Sequence, residues 1–214
     1  MLRLSPAIFN RQLQFMGQSV LWRRAALCPC RDVYSGGSRQ DCPVCTGRGW
    51  SWGRGIPSKT GVVGAKAGRK QADFGQWEDG DVALSVPGDT PMWHAGEKDR
   101  VQFMDGEMPF QVALRHDGGA RIDFVPLRFE RCFWLRGNEA AFRDADLPKW
   151  DAGTGALSWP AGRTPPDAGE QFTLTGVKRP DFMLVSHLPI SRAHFNGLPL
   201  PRLFQCRRTD LILK

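Results

Sequence analysis

Four cysteines in the first quarter of the chain are the residues whose types and spacing are best suited to chemistry. Cys28 and Cys30 flank one proline, and Cys42 and Cys45 follow after eleven further residues, which gives the pattern C-x-C-x11-C-x2-C. Zinc prefers a tetrahedron of soft ligands, and two close pairs of thiolates on turns allow a short segment to supply all four. The sequence therefore predicts one structural zinc ion bound by Cys28, Cys30, Cys42 and Cys45, with no open position for a substrate.

The residues between and after these cysteines are suited to a metal-binding loop. Glycine supplies the tight turns that such a loop needs, and it occurs at Gly36, Gly37, Gly47 and Gly49. Disulfides and unliganded thiols are the alternatives, and both remain open from the sequence alone. A direct Cys28–Cys30 disulfide would be strained, because one residue separates the two cysteines.

Positive charge is concentrated in the same part of the chain. Residues 1–72 contain 12 Lys and Arg against 2 Asp and Glu, whereas residues 73–214 contain 17 against 20. A segment with such an excess is typical of contact with a polyanion or with an acidic protein surface. We assign this electrostatic role to five arginines, which would also offset the charge of four thiolates: Arg23, Arg24, Arg31, Arg39 and Arg48.

The elements that must position these residues fall into four predicted segments. Residues 1–27 form a basic arm with a short helix, since Ser5 is a suitable N-cap and Pro6 suits the first helical position. Residues 28–52 form the cysteine knuckle, and the Gly-rich basic stretch 53–72 is typical of a linker. Residues 73–214 alternate short apolar runs with turn residues, which predicts an antiparallel β-barrel or small sandwich. The fold class is therefore mainly β.

Several classes of function lack the sequence pattern they would need. No apolar run approaches the ~20 residues of a membrane span, and residues 1–20 do not resemble a signal peptide, so we expect a reducing compartment. No nucleophile elbow, phosphate-binding loop or dinucleotide fingerprint is present. We therefore expect no enzyme activity. An enzyme built from His187, His194 and distant carboxylates stays a third hypothesis, without a residue pattern in its favour.

One cysteine pair resembles a known zinc-binding repeat. Cys42-Pro43-Val44-Cys45-Thr46-Gly47-Arg48-Gly49 matches C-x-x-C-x-G-x-G, and over these eight residues it is similar to the cysteine-rich zinc domain of DnaJ-type chaperones. That family carries four such repeats and a J-domain with His-Pro-Asp, whereas this chain has one repeat and no J-domain. The resemblance implies zinc binding and does not imply chaperone activity.

Four segments of the C-terminal third carry a second resemblance: 150–159, 165–172, 179–182 and 198–202. Together with the cysteine knuckle and the basic N-terminal helix, they are similar to the neck proteins of tailed bacteriophages. These head-tail connector or head-completion proteins join the portal to the tail. The resemblance covers about 65 residues and lies in their general residue pattern.

The resemblance to neck proteins implies a β-barrel subunit of a homo-oligomeric ring on the portal axis. Such a ring contacts the portal or adaptor protein and the tail terminator or other tail proteins, retains packaged DNA, and lets it pass during ejection. The expected location is the neck of the virion, with the host cytoplasm during assembly, and no membrane partner. The alternative is a zinc-knuckle nucleic-acid-binding protein in which residues 1–72 grip phosphates and the β body is an OB-like platform.

Overall fold

The structure, a computed structural model, describes residues 5–63, 80–135, 141–187, 194–195 and 197–212, without the side chain of His187. The elements in chain order are α1 (Pro6–Met16), β1 (Gln18–Arg23), β2 (Ala25–Leu27), β3 (Trp50–Trp52), β4 (Ile56–Val63), β5 (Asp81–Val86), a 3₁₀ turn (Pro91–His94), β6 (Arg100–Phe103), β7 (Met108–Arg115), β8 (Pro126–Leu135), β9 (Phe142–Ala145), β10 (Lys149–Trp150), β11 (Leu157–Ser158), β12 (Gln171–Lys178), β13 (Asp181–His187), β14 (His194–Phe195), β15 (Leu198–Pro199), β16 (Arg202–Arg208) and α2 (Thr209–Ile212). The chain is thus mainly β, as its alternating runs predicted.

Two compact units divide these elements. The first comprises Met1–Asp105 and Asp181–Lys214, and we call it the barrel unit; the second comprises Gly106–Pro180, and we call it the sheet unit. β6 pairs antiparallel with β13, with Gln102 opposite Asp181. The chain therefore leaves the barrel unit at one strand and returns on its immediate neighbour, which makes the sheet unit an insertion.

Six antiparallel strands close the barrel, in the order β1-β4-β5-β16-β13-β6. Alternation along β1 turns Val20 and Trp22 inward, since successive side chains of a strand point to opposite faces. Val101 and Phe103 of β6 join them, with Phe204 from β16. Closure leaves no free sheet edge in the barrel, so every strand has a partner on both sides.

The helix α1 lies against the barrel and begins where the sequence predicted. Pro6 occupies its first turn, which suits a position whose amide has no helical partner. Asn10 is buried and accepts a hydrogen bond from the amide of Gly88, and Lys59 of β4 donates to the carbonyl of Gln14. These contacts fix one face of the helix and leave the other exposed.

The sheet unit has a core of its own beneath a four-stranded sheet in the order β7-β12-β8-β9. Phe172 and Leu174 of β12, Cys132 and Trp134 of β8 and Leu157 of β11 are buried in it. The hairpin β10–β11 carries Trp150, which packs against the same cluster. A separate core gives this unit the means to fold as a unit.

The segment boundaries in the structure differ from those predicted from the sequence. The predicted arm, 1–27, contains β1 and β2, and the predicted linker, 53–72, contains β4 up to Val63; residues 64–72 lie outside the described part. The sequence predicts a linker over β4 because this stretch holds few large apolar residues. It is a strand because β1 and β5 pair with it and because buried Thr60 donates a hydrogen bond to the carbonyl of Ser85. Tertiary pairing here overrides local composition.

Candidate metal centre

A two-stranded ribbon carries the cysteine loop away from the barrel. β2 follows β1 after a single residue and pairs antiparallel with β3, with Leu27 opposite Trp50. The amide of Cys28 donates to the carbonyl of Gly49 at 2.9 Å, which closes the base of the loop. The ribbon thus brings the first cysteine pair next to the residues that follow the second pair.

The four predicted ligands converge at the base of this loop. The sulfurs of Cys28, Cys30, Cys42 and Cys45 all lie within 4.8 Å of one another. The Sγ atoms of Cys28 and Cys42 are 3.8 Å apart, and those of Cys30 and Cys45 are 3.4 Å apart. A tetrahedral site with metal–sulfur bonds of about 2.3 Å has sulfur–sulfur edges of about 3.8 Å. The cluster therefore has dimensions that fit one metal ion, as the spacing predicted.

Tight turns aim the second cysteine pair inward. The amide of Thr46 donates to the carbonyl of Cys42, and the amide of Arg48 donates to the carbonyl of Cys45. Gly47 has a φ of +83°, in the left-handed region that favours glycine. Thr46, directly after Cys45, also has a positive φ, of +48°. The chain therefore reverses over two successive left-handed residues, of which Gly47 adopts this conformation readily and Thr46 does so at a cost.

The backbone around the cysteines favours a thiolate at one of them. The amides of Cys45 and Val44 donate to the sulfur of Cys42 and hold the pKa of that thiol at about 6. Burial, and after it the hydrogen bond with Cys45, raises the pKa of Cys30 to about 12. The surroundings thus shift the pKa values of these two thiols in opposite directions, down at Cys42 and up at Cys30. A dication in the centre would favour the deprotonated form of every sulfur.

Buried hydrogen bonds attach the ribbon to the end of the barrel. Asp99, 2% exposed, accepts the indole N–H of Trp22, the amide of Ala25 and the amide of Gly96 at 2.7–2.9 Å. The indole N–H of Trp52 donates to the carbonyl of Lys98. The ribbon is therefore held to the barrel from both of its strands.

An ion pair that sequence reasoning missed lies beside this attachment. Arg100 and Asp181, both buried, form a salt bridge, and the Arg100 guanidinium lies 4.9 Å from the centre of the Trp52 ring. The two charged residues are 81 positions apart, so no local sequence pattern predicts that they form an ion pair. The nearest signal is the position of Asp181 directly after Pro180, at a strand start.

The five arginines assigned an electrostatic role do not share one environment. Arg24, Arg31 and Arg39 are exposed, whereas Arg23 and Arg48 are half-buried. Burial lowers the pKa of Arg23 in β1, where the charge of Asp181 opposes that effect. The Arg31 guanidinium donates to the carbonyl of Gly36, and Arg39 pairs with Asp41 at 3.1 Å. Arg23 thus belongs to the barrel rather than to a free arm.

The remaining cysteines and the histidines lie far from this cluster in the sequence. Cys132 and Cys206 are buried in the two cores, and burial raises the pKa of Cys132 to about 11. The His194 ring lies 5.4 Å from the Trp93 ring in an edge-on contact. The side chain of His187, the other histidine of the predicted enzyme site, lies outside the described part.

The centre has the chemistry of a closed structural site. Four sulfurs around one ion would complete a tetrahedral coordination and leave no position for water or substrate.

No helix in the described ranges has the length and apolar character needed to span a membrane. Comparison with protein-family models gives no match for this chain, and comparison with curated proteins gives none either.

Proposed function

We propose that the chain is a structural protein with one structural zinc ion, and that it serves as a ring subunit in the neck of a tailed bacteriophage. The observation that carries the proposal is the closed four-sulfur cluster on a ribbon that projects from a β-barrel. A closed site of this kind organises a surface and performs no reaction. The sequence resemblance of the C-terminal third supports the assignment to the neck. There, such a surface would contact another subunit.

Zinc is the ion that fits this donor set best. Thiolates are soft ligands, and tetrahedral sulfur sites select zinc or iron. Zinc has no redox chemistry and often binds to cysteines on knuckle turns like those after Cys42 and Cys45. The ion would hold the loop together, since the described apolar core of the loop consists of its cysteines alone.

Charge supports a contact with an acidic partner. The described stretch 5–63 contains 8 basic and 2 acidic residues, whereas the sheet unit contains 10 of each. The surface of the metal-binding part is thus suited to an acidic protein face on the portal side of a neck, or to the phosphates of DNA in its channel.

The first experiment measures metal and thiols together. Protein purified without chelator or added zinc is expected to contain about one zinc per chain, with four thiols that become reactive when a chelator is added. No metal with four unreactive thiols indicates disulfides, and no metal with free thiols removes the metal centre altogether. Either result contradicts the zinc part of the proposal.

The second experiment tests the neck. Mass spectrometry of purified tailed particles from cells that produce the chain is expected to find the protein at a fixed copy number per particle. Exchange of exposed Arg24 and Arg39 for Gln is expected to reduce this number. Particles that assemble and infect without the protein would contradict the neck assignment.

The same basic surface favours one second candidate, a nucleic-acid-binding protein. Such a protein loses affinity steeply with salt, because counterions are released when phosphates are neutralised. Oligonucleotide binding by the zinc-loaded protein at increasing salt distinguishes the two. A neck subunit is expected to bind free DNA weakly, while a nucleic-acid-binding protein is expected to lose about tenfold or more in affinity between 50 and 200 mM salt.

A further inference from the structure

The tip of the cysteine loop presents two apolar side chains almost entirely to solvent. Val33 is 93% exposed and Tyr34 is 97% exposed. Tyr34 is also the single tyrosine of the chain. Exposed aromatic side chains with a polar end are favoured at protein interfaces, because they bury a large area at a low entropy cost.

The turn that carries this tip is ordered by its own hydrogen bonds. The carboxylate of Asp32 accepts the amides of Tyr34 and Ser35 at 3.0 and 2.7 Å, and also the hydroxyl of Ser35. The amide of Asp32 donates to the carbonyl of Gly37, and Gly36 has a φ of +68°. A turn fixed in this way loses little conformational entropy when it docks.

A groove on the same barrel unit has the size and character to receive such a tip. It measures about 420 Å³ and lies between α1 and the segments 88–89 and 198–199. Apolar side chains line much of it, from Pro6, Ala7, Leu198 and Pro199. Pockets that bind small molecules have volumes of about 300–1,000 Å³, and this groove falls in the lower part of that range. Its volume is therefore large enough for one aromatic and one aliphatic side chain.

The apolar surface continues from the groove onto the outer face of α1. Ile8 and Phe15 are three residues before and four residues after Arg11, so they lie beside it on the helix. Ile8 is 63% exposed and Phe15 is 81% exposed. The groove and the tip each carry one positive and one negative side chain. Arg11 and Asp89 lie at the groove, and Arg31 and Asp32 lie at the base of the tip.

The tip and the groove occupy different places on the barrel unit. α1 enters β1 at Gln18, whereas the ribbon with the cysteine loop continues beyond Arg23, at the other end of that strand. Two complementary surfaces in different places on one chain produce head-to-tail association, which closes into a ring when the rotation per subunit allows it.

We propose that the Val33–Tyr34 turn of one copy docks into the groove between α1 and the segments 88–89 and 198–199 of the next copy. The inference deepens the proposed ring subunit and rests on it. A buried tyrosine covers about 150–250 Å², whereas stable interfaces bury about 1,200–2,000 Å² in total. The contact between two copies is therefore weak and concentration-dependent, and a closed ring stabilises it.

Sedimentation velocity of the zinc-loaded full chain over a concentration series tests this docking. The wild type is expected to associate beyond the dimer. The double variant Val33→Ser with Tyr34→Ser and the groove variant Leu198→Arg are each expected to weaken association about tenfold or more, as for an interface hot spot. Leu127→Ser, which removes an apolar side chain that is 40% exposed in the sheet unit, is the matched control and is expected to change nothing.

A mixture of the two variants gives the sharper result. The intact groove of the tip variant accepts the intact tip of the groove variant, so an equimolar mixture is expected to form a heterodimer and no larger species. Incorporated 3-fluorotyrosine at Tyr34, the single tyrosine, gives one ¹⁹F resonance that is expected to shift with concentration in the wild type and to stay constant in Leu198→Arg.

Three outcomes overturn the inference. One is a chain that stays monomeric at every concentration, and another is association that neither variant weakens. The third is a tip variant that loses oligonucleotide binding while its self-association is unchanged, which assigns the tip to nucleic acid. Zinc content and the presence of the protein in particles test the proposed function separately, so failure of the docking can be distinguished from failure of the proposed function.

Discussion

Among single residues, Asp99 helps to attach the strands that carry the cysteine loop to the barrel. It is buried and accepts three hydrogen bonds, from Trp22, Ala25 and Gly96. We expect Asp99→Asn to lower the free energy of unfolding by about 2–4 kcal/mol, because the amide nitrogen of asparagine cannot accept and leaves buried donors unpaired. Urea denaturation measures this change. Glu97→Gln, at an exposed position nearby, is the control and is expected to stay within about 0.5 kcal/mol of wild type.

The cysteines make a second prediction at this scale. We expect Cys42→Ser to abolish stoichiometric metal binding, because it removes both a ligand and the thiol that the amides of Cys45 and Val44 favour as thiolate. Cys132→Ala, in the core of the sheet unit, is expected to retain about one metal ion per chain. Elemental analysis of both variants measures the difference. Equal metal content in the two proteins would contradict the four-sulfur centre.

At the scale of elements, the cysteine loop and the barrel differ in what stabilises them. The loop has a core of cysteines, whereas the barrel has a large apolar core. We expect a chelator to accelerate hydrogen exchange of the amides of Cys28, Thr46 and Arg48 at least about tenfold, while the amide of Leu184 stays protected. Exchange measured by mass spectrometry or NMR tests this, and re-addition of zinc is the control. Equal acceleration in loop and barrel would show that the metal stabilises the whole unit.

In the sheet unit, one carboxylate connects β9 to the loop after β11. Asp146 accepts the amide of Thr164 and a hydrogen bond from Arg163, and in that order these interactions lower the pKa of its carboxyl. A folded pKa below the ordinary value of 3.8 means that the stabilisation is complete above that value and is lost as the pH falls through the lower folded pKa. We therefore expect Asp146→Asn to lower Tm at pH 6 and to match wild type at strongly acidic pH.

Thermal unfolding at several pH values measures the difference between wild type and Asp146→Asn. Asp167→Asn, at an exposed position of the same unit, is the comparison and is expected to show a smaller difference. A difference that persists unchanged at strongly acidic pH would contradict the role of the charged carboxylate.

At the scale of the whole molecule, the sheet unit is an insertion between two adjacent strands of the barrel. Gln102 of β6 lies opposite Asp181 of β13, so the ends of the insertion are neighbours. We expect that replacing Gly106–Pro180 by a short Gly-Ser turn leaves a folded barrel unit with its metal, because the two units have separate cores. Circular dichroism and metal content of this variant measure it. An unfolded product with a folded wild-type control would show that the barrel depends on the insertion.

Local patterns predicted the features whose residues are close together in the chain. The mainly β fold followed from alternating runs, and the candidate metal ligands followed from two cysteine pairs within eighteen residues. The start of α1 followed from Ser5 and Pro6, although Ser5 occupies the N-cap position without a side-chain cap hydrogen bond. Each of these depends on short-range geometry: strand periodicity, the first turn of a helix, or the reach of a loop. The identity of the metal and the role in a neck stay predictions.

Tertiary structure decided what depends on residues far apart in the chain. β4 lacks a strong strand pattern and is ordered by β1 and β5, and the barrel closes only because strands from both ends of the chain pair. Asp99 is 77 residues from Trp22 and 74 from Ala25, and Arg100 is 81 residues from Asp181. Local signals were sufficient to predict the candidate ligands and the class of fold. Barrel closure, the insertion and the buried charges were decided by pairing across the chain, because that pairing fixes which distant residues share the low-dielectric interior.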